Sequence, residues 1–258
     1  KVPESAVVDG KNSIILAGYV RERCPRNLVY TVTLDADADE NRGTQLIPRQ
    51  DTPAVRAQDD TNGVGGPTGS LFSDDETPFS DVGEHWAKGF IMALVDKAII
   101  GGYGDGTFGP DNPLTRAEAV KIALLAFGFE VPESIAAPPF PDVAIDTWFA
   151  PYVQAATDAG IVSGYSDGTF QPNAEVTRAE ALKIIALAAG VDPTKVVYGE
   201  GAFSDVGKDA WFFPHVMWAN ANDIVGGFEN GTFKPNAPVT RAEFSKITYL
   251  MLRMLGLY

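Results

Sequence analysis

The sequence is short of the residues that build cross-links and metal centres. A single cysteine, Cys24, among 258 residues excludes an internal disulfide framework and any cluster of thiolates. Histidine occurs only as His85 and His215, at different places of the repeat described below, so no repeated histidine site exists; both are read as surface residues. Positive charge is in deficit too: 20 Lys and Arg against 34 Asp and Glu leave a formal net charge of -14. Nucleic acid and anionic lipid both demand basic surface, so neither is expected as a partner. The expected partner is neutral, or an anion held at local basic spots. No apolar run approaches the roughly 18 residues that a membrane span needs, so no transmembrane segment is expected.

What the chain has is repetition. Thr115-Arg116-Ala117-Glu118 returns as Thr177-Arg178-Ala179-Glu180 and as Thr240-Arg241-Ala242-Glu243, at spacings of 62 and 63 residues. Each copy predicts a helix start. Thr at the N-cap accepts from the backbone N–H three residues on, and Glu at the third helical position reaches back to the Thr N–H, forming a capping box. Apolar residues follow at helical spacing: Ala119, Val120, Ala123 and Leu124, then Ala181, Leu182, Ile185 and Ala186, then Phe244, Ile247, Leu250 and Met251. Capping does not explain the arginine, since a cation at a helix N-terminus is unfavourable by roughly a few tenths of a kcal/mol. Two readings of Arg116, Arg178 and Arg241 stay open. With the free N–H groups of the helix end they form an anion site for a carboxylate or phosphate, or they fold back onto an acidic residue of a neighbouring repeat.

A longer template surrounds this motif. Each unit opens with Phe-x-Asp-Val, at 79–82, 140–143 and 203–206, followed by Trp86, Trp148 or Trp211. An amphipathic helix comes next, with apolar stripes at Ile91, Leu94 and Val95, at Val153, Ala156 and Thr157, and more weakly at Val216, Ala219 and Asn220. It is expected to close near Ala98, Gly160 and Asp223, where a left-handed residue commonly ends a helix; only Gly160 suits that conformation, so the other two bear a strain of about 1 kcal/mol or end differently. The pairs Ile99-Ile100, Ile161-Val162 and Ile224-Val225 are expected to be buried. Gly102-Tyr103-Gly104-Asp105-Gly106-Thr107-Phe108, matched at 164–170 and 227–233, predicts a tight turn with a phenylalanine anchor. Pro110, Pro172 and Pro235 then lead into the capped helix, so each unit reads helix, tight loop, helix.

The first 78 residues follow no such template. Residues 12–36 predict a β-hairpin, with alternation over Leu28 to Leu34; two strands alone are marginal in water, so they are expected to pair with something else, the repeats or part of a larger protein. Asp35-Ala36-Asp37-Ala38-Asp39 has the alternate aspartates of a calcium-loop opening. Glu40 stands where that loop needs Gly, however, and Leu46 where it needs Glu. A solvated acidic linker is preferred over a calcium site, and residues 41–78, rich in Asp, Thr, Gly and Pro, continue it.

In order and in triplicate, Phe-x-Asp-Val, Trp, Gly-Tyr-x-Asp-Gly-Thr-Phe-x-Pro and Thr-Arg-Ala-Glu resemble the S-layer homology (SLH) domain. The resemblance implies a mainly α fold of three helix-loop-helix repeats, 79–139, 140–202 and 203–258, in a pseudo-threefold arrangement with grooves between neighbours. The hairpin (1–36) and linker (37–78) precede it. It also implies a secreted surface protein held non-covalently to the bacterial cell wall by secondary wall polysaccharide, often through a pyruvylated terminal sugar. The ligand would be met by Arg116, Arg178 and Arg241 at its carboxylate, by Asp81, Asp142 and Asp205 at sugar hydroxyls, and by Trp86, Trp148 and Trp211 at a sugar face. Gly102, Gly164 and Gly227, with Tyr103 and Tyr165, would line the approach. Structural readings stand beside these: each Trp packed in the core, each Asp capping the first helix, each Gly serving only the turn. The third unit departs from the pattern, with Phe228 for Tyr and Asn230 for Asp. A lattice component that self-associates, or a peptidoglycan-binding module, are the alternatives. No carboxylate pair suited to glycoside hydrolysis stands out, so no enzyme and no cofactor are expected.

Overall fold

A computed structural model describes residues 13–17, 29–33, 77–196, 198–199 and 201–258. Strands β1 (Ser13–Ala17) and β2 (Val29–Thr33) pair antiparallel, Ser13 opposite Thr33 and Ala17 opposite Val29. They belong to one unit of the chain and the repeats to another. The turn between the strands, the aspartates at 35–39 and the linker up to residue 76 lie outside the described residues.

Six helices follow in three pairs: α1 (Lys88–Asp96) and α2 (Arg116–Ala126), α3 (Ala150–Asp158) and α4 (Arg178–Ala188), α5 (Phe213–Ala221) and α6 (Arg241–Met254). All three second helices carry the complete capping box on Thr115, Thr177 and Thr240. All three first helices close left-handed, at Ala98 (φ 53°), Gly160 (69°) and Asp223 (58°). The apolar pairs after them are buried, as are the loop anchors Phe108, Phe170 and Phe233. Each of these features is local, and each falls where the periodic pattern predicts it.

The repeats pack head to tail. Helices α2, α4 and α6 meet one another, while each first helix lies on the second helix of the preceding repeat: α3 on α2, α5 on α4, and α1 on α6. The last repeat therefore closes onto the first, as a heterologous contact does when its rotation completes a ring. At the centre the backbone itself forms the ring. Val176 N–H donates to Leu114, Val239 to Val176 and Leu114 to Val239, at 2.9, 3.0 and 3.0 Å, with all three side chains buried. The closure has its own apolar cluster, in which Phe90, Ile91 and Leu94 of α1 meet Ala242, Tyr249 and Leu252 of α6. Helix α6 is a turn longer than α2 or α4. Past its end, Tyr258 meets Tyr249 edge to face and donates to the Ala93 carbonyl of α1.

Candidate functional site

The helix starts are where the two readings of the arginines separate. A helix N-terminus offers unpaired N–H groups only if nothing else takes them. Here the Arg116 N–H donates to the Ala174 carbonyl, Arg178 to Ala237 and Arg241 to Asn112, each at 2.9 Å. The next N–H of each helix donates to Pro172, Pro235 and Pro110, and the third to the N-cap threonine. The free N–H groups supposed for an anion site are thus taken, the first two of each helix by the following repeat, whose loop seats on the helix end, and the third by the helix's own N-cap.

The arginine side chains go the same way. Arg116, Arg178 and Arg241 are 7, 5 and 7 % exposed and lie over aromatic rings of the next repeat: Tyr165 and Phe170, Phe228 and Phe233, Tyr103 and Phe108. They face the capping glutamates Glu180, Glu243 and Glu118 at 3.6, 2.6 and 3.4 Å. Each glutamate therefore does two jobs, Oε2 closing its own helix cap and Oε1 meeting the arginine of the repeat before it. The burial of Glu180 works to raise its pKa. The hydrogen bonds from Thr177 and Tyr165, and the Arg116 charge, outweigh this and hold it below the ordinary carboxylate value. The ring of three Arg–Glu contacts is the fold-back onto a neighbouring acidic residue.

Asp81, Asp142 and Asp205 do not cap the first helices, whose N-caps Ala87, Phe149 and Phe212 make no side-chain cap bond. Each grips the loop with both oxygens: Asp81 accepts from Phe108 and Gly109 N–H, Asp142 from Phe170 and Gln171, Asp205 from Phe233 and Lys234, all at 2.7–2.8 Å. The second residue of each pair is left-handed, so two successive N–H groups converge on one carboxylate, as in an anion-binding nest. Burial pushes the Asp81 carboxyl up, and the two N–H bonds outweigh it and lower its pKa. Gly102, Gly164 and Gly227 lie under the Phe79, Phe140 and Phe203 rings. A Cβ there would come within 2.3–2.6 Å of ring carbon, so these glycines are required for packing.

The three template tryptophans are outside the core. Trp86, Trp148 and Trp211 are 44, 52 and 53 % exposed. Above each sits a lysine from the preceding repeat, which sequence reasoning missed: Lys246 lies 5.8 Å from the Trp86 ring, Lys121 5.3 Å from Trp148 and Lys183 5.5 Å from Trp211. The signal was present, since Lys121, Lys183 and Lys246 each stand five residues after the repeated arginine. Beside each Trp, one turn on, stands a second ring: Phe90, Tyr152 or His215. His215 is therefore buried, 5 % exposed, and not a surface residue. Desolvation and then the Lys183 charge lower its pKa. His85 is half-buried, accepting from the Ala87 N–H and meeting Asp111 at 3.3 Å.

These residues outline a shallow cleft at the junction of repeats. One is lined by Trp86, Lys246, Ile247, Glu243, Arg178 and the backbone turn Ile224-Val225-Gly226. The repeat places Trp148, Lys121, Glu118 and Arg241, and Trp211, Lys183, Glu180 and Arg116, in the corresponding positions. Tyr103 is exposed beside one cleft, whereas Tyr165 is half-buried and bonded to Glu180. An exposed indole face, an ammonium and a buried guanidinium suit a ring with an apolar face and an acidic substituent. Among the described residues no group of three or more His, Cys, Asp or Glu is placed to hold a metal, and no helix is long and apolar enough to cross a membrane.

A closed ring of three helical repeats is the arrangement that the triplicate sequence template implies. The family model of the S-layer homology domain matches residues 78–120, 139–182 and 202–245, and the chain belongs to that family. It is 33% identical over 169 residues to the surface-layer 125 kDa protein of Lysinibacillus sphaericus, covering 63% of this chain and 14% of that one. The S-layer protein EA1 of Bacillus anthracis matches at 33% over 175 residues, 67% of this chain and 20% of its own length. An exoglucanase, XynX of Acetivibrio thermocellus, matches at 30% over 226 residues, 84% and 20% respectively. The chain thus spans a fifth or less of each of these relatives. Family membership places it at the cell surface, associated with the cell wall, as an anchoring module.

Proposed function

We propose that this chain holds a surface protein non-covalently to the bacterial wall by binding secondary cell-wall polysaccharide, with an acidic, pyruvylated terminal sugar seated in the clefts between repeats. The observation that carries this reading is the threefold recurrence of an exposed Trp beneath the ammonium of the preceding repeat. A sugar's C–H face is a suitable cover for an exposed indole. A ketal-linked pyruvate adds a carboxylate, for which Lys121, Lys183 and Lys246 at the mouth and the arginines beneath supply charge. The relatives' names, two of them surface-layer proteins, support wall attachment.

The test is co-sedimentation with purified wall sacculi, before and after the secondary polysaccharide is stripped, using the wild type and a triple Lys121→Ala/Lys183→Ala/Lys246→Ala variant. The lysines are the better targets because the arginines hold the ring together. Binding lost on stripping and in the variant supports the reading. Binding that survives stripping points to peptidoglycan, and absence of binding with concentration-dependent self-association points to a lattice component.

A further inference from the structure

The three clefts share a plan but differ at the arginine. Arg178 is tied hardest: Nη1 lies 2.6 Å from Glu243 Oε1, and Nε donates to the Phe233 carbonyl at 3.0 Å. Arg241 donates to the Phe108 and Gly101 carbonyls and reaches Glu118 at 3.4 Å. Arg116 has one hydrogen bond, from Nη2 to the Ser163 carbonyl at 3.0 Å; its Nη1 stands 3.6 Å from Glu180, and its Nε is buried without a partner. The cause lies in the adjoining loop. Tyr165 donates to Glu180 Oε1 at 2.8 Å, taking the oxygen whose counterpart in the third repeat accepts from arginine. That repeat has Phe228 in the tyrosine's place, with no hydroxyl to compete. Tyr103 holds the place in the first repeat, where the Arg–Glu distance is intermediate.

A buried guanidinium with unmet donors has lost water without full replacement, and a ligand carboxylate restores what is missing. Taking the anchoring reading as its basis, we propose that the cleft of Arg116, Ser163, Glu180, Lys183 and Trp211 is the preferred seat of the glycan carboxylate. Tyr165 sets the preference by holding Glu180 off Arg116. Tyr165 is a positioning residue, since it acts on the ligand through Glu180; its ring also lies 4.8 Å from the Arg116 guanidinium, a contact that phenylalanine would keep.

The experiment is calorimetric titration of the full chain with a methyl glycoside carrying a pyruvate ketal, and with its neutral methyl ester. Tyr165→Phe removes only the hydroxyl, frees Glu180 to close on Arg116 as Glu243 closes on Arg178, and is expected to weaken the acid probe about tenfold. The ester is expected to be indifferent to it. Phe228→Tyr is the converse, expected to strengthen the third-repeat cleft and yield a second site of comparable affinity. In the wild type the Arg116 Nε–H resonance should shift on adding the acid probe, and in Tyr165→Phe it should stay. Acid-probe binding unchanged by both substitutions overturns the ranking and leaves the anchoring reading standing. A wild type that sediments with the wall yet binds neither probe overturns the carboxylate seat. A chain that binds neither probe nor wall loses both.

Discussion

The Arg–Glu ring predicts a large effect from one substitution on the face that closes the repeats. Arg241→Ala removes a side chain that is 7 % exposed. It strips the Phe108 and Gly101 carbonyls of their donor and leaves Glu118 without its cation. Removing one member of a buried charge pair costs roughly 3–5 kcal/mol. Glu118 is partly exposed, its side chain 25 % accessible, so water recovers some of its solvation and the lower end, about 3 kcal/mol, is expected. For a folded unit of this size each kcal/mol corresponds to roughly 2–4 °C in Tm, so the melting temperature should fall by about 6–12 °C. The measurement is calorimetric melting with urea titration as a second probe, alongside Lys246→Ala, half-buried over the Trp86 and Phe90 rings, whose loss is expected to cost about 1 kcal/mol. The double variant Arg241→Ala/Glu118→Gln should cost less than the sum of its parts, because the two residues share one contact. An Arg241→Ala protein as stable as Lys246→Ala would refute the claim that the ring closes the fold.

Three further perturbations follow from the geometry. His215 has a depressed pKa, so between about pH 7 and pH 5 the unfolded chain binds a proton that the native state resists. Stability is then expected to fall as pH drops through the ordinary value of 6.5; His215→Phe, copying Phe90, should flatten that slope in urea titrations, and an unchanged slope would count against it. Ala98 is exposed and left-handed at φ 53°, so Ala98→Gly should stabilise by up to about 1 kcal/mol, read as a rise in the urea midpoint. Gly227→Ala would drive a methyl to within 2.4 Å of the Phe203 ring and 2.9 Å of the Thr232 carbonyl. It should destabilise by about 1–3 kcal/mol in the same assay.

Much of this protein is written in short stretches. The capping boxes, the left-handed helix ends, the buried pair after each first helix and the phenylalanine anchor all depend on residues within a turn or two of one another. Three copies of each pattern made the reading firm, and the triplicate motif was enough to identify the family. Even the lysines over the tryptophans were legible as a periodic position, though not as partners.

What the sequence could not supply was which repeat touches which. Periodicity says that Arg116, Arg178 and Arg241 are equivalent; it is silent on whether each meets its own loop, the preceding one or the next. Only the closed head-to-tail packing decided that Arg241 reaches back to Gly101 and Phe108, 140 and 133 residues earlier in the chain. The same packing filled the helix N-termini with carbonyls from the next repeat; within each repeat, tertiary contacts turned Asp81, Asp142 and Asp205 onto the loop some 28 residues on and buried His215 while leaving Trp86, Trp148 and Trp211 exposed. Local propensity sets where helices begin and end. The partners of a charged side chain are set by whichever element covers it, and for Arg116, Arg178 and Arg241 that element belongs to another repeat.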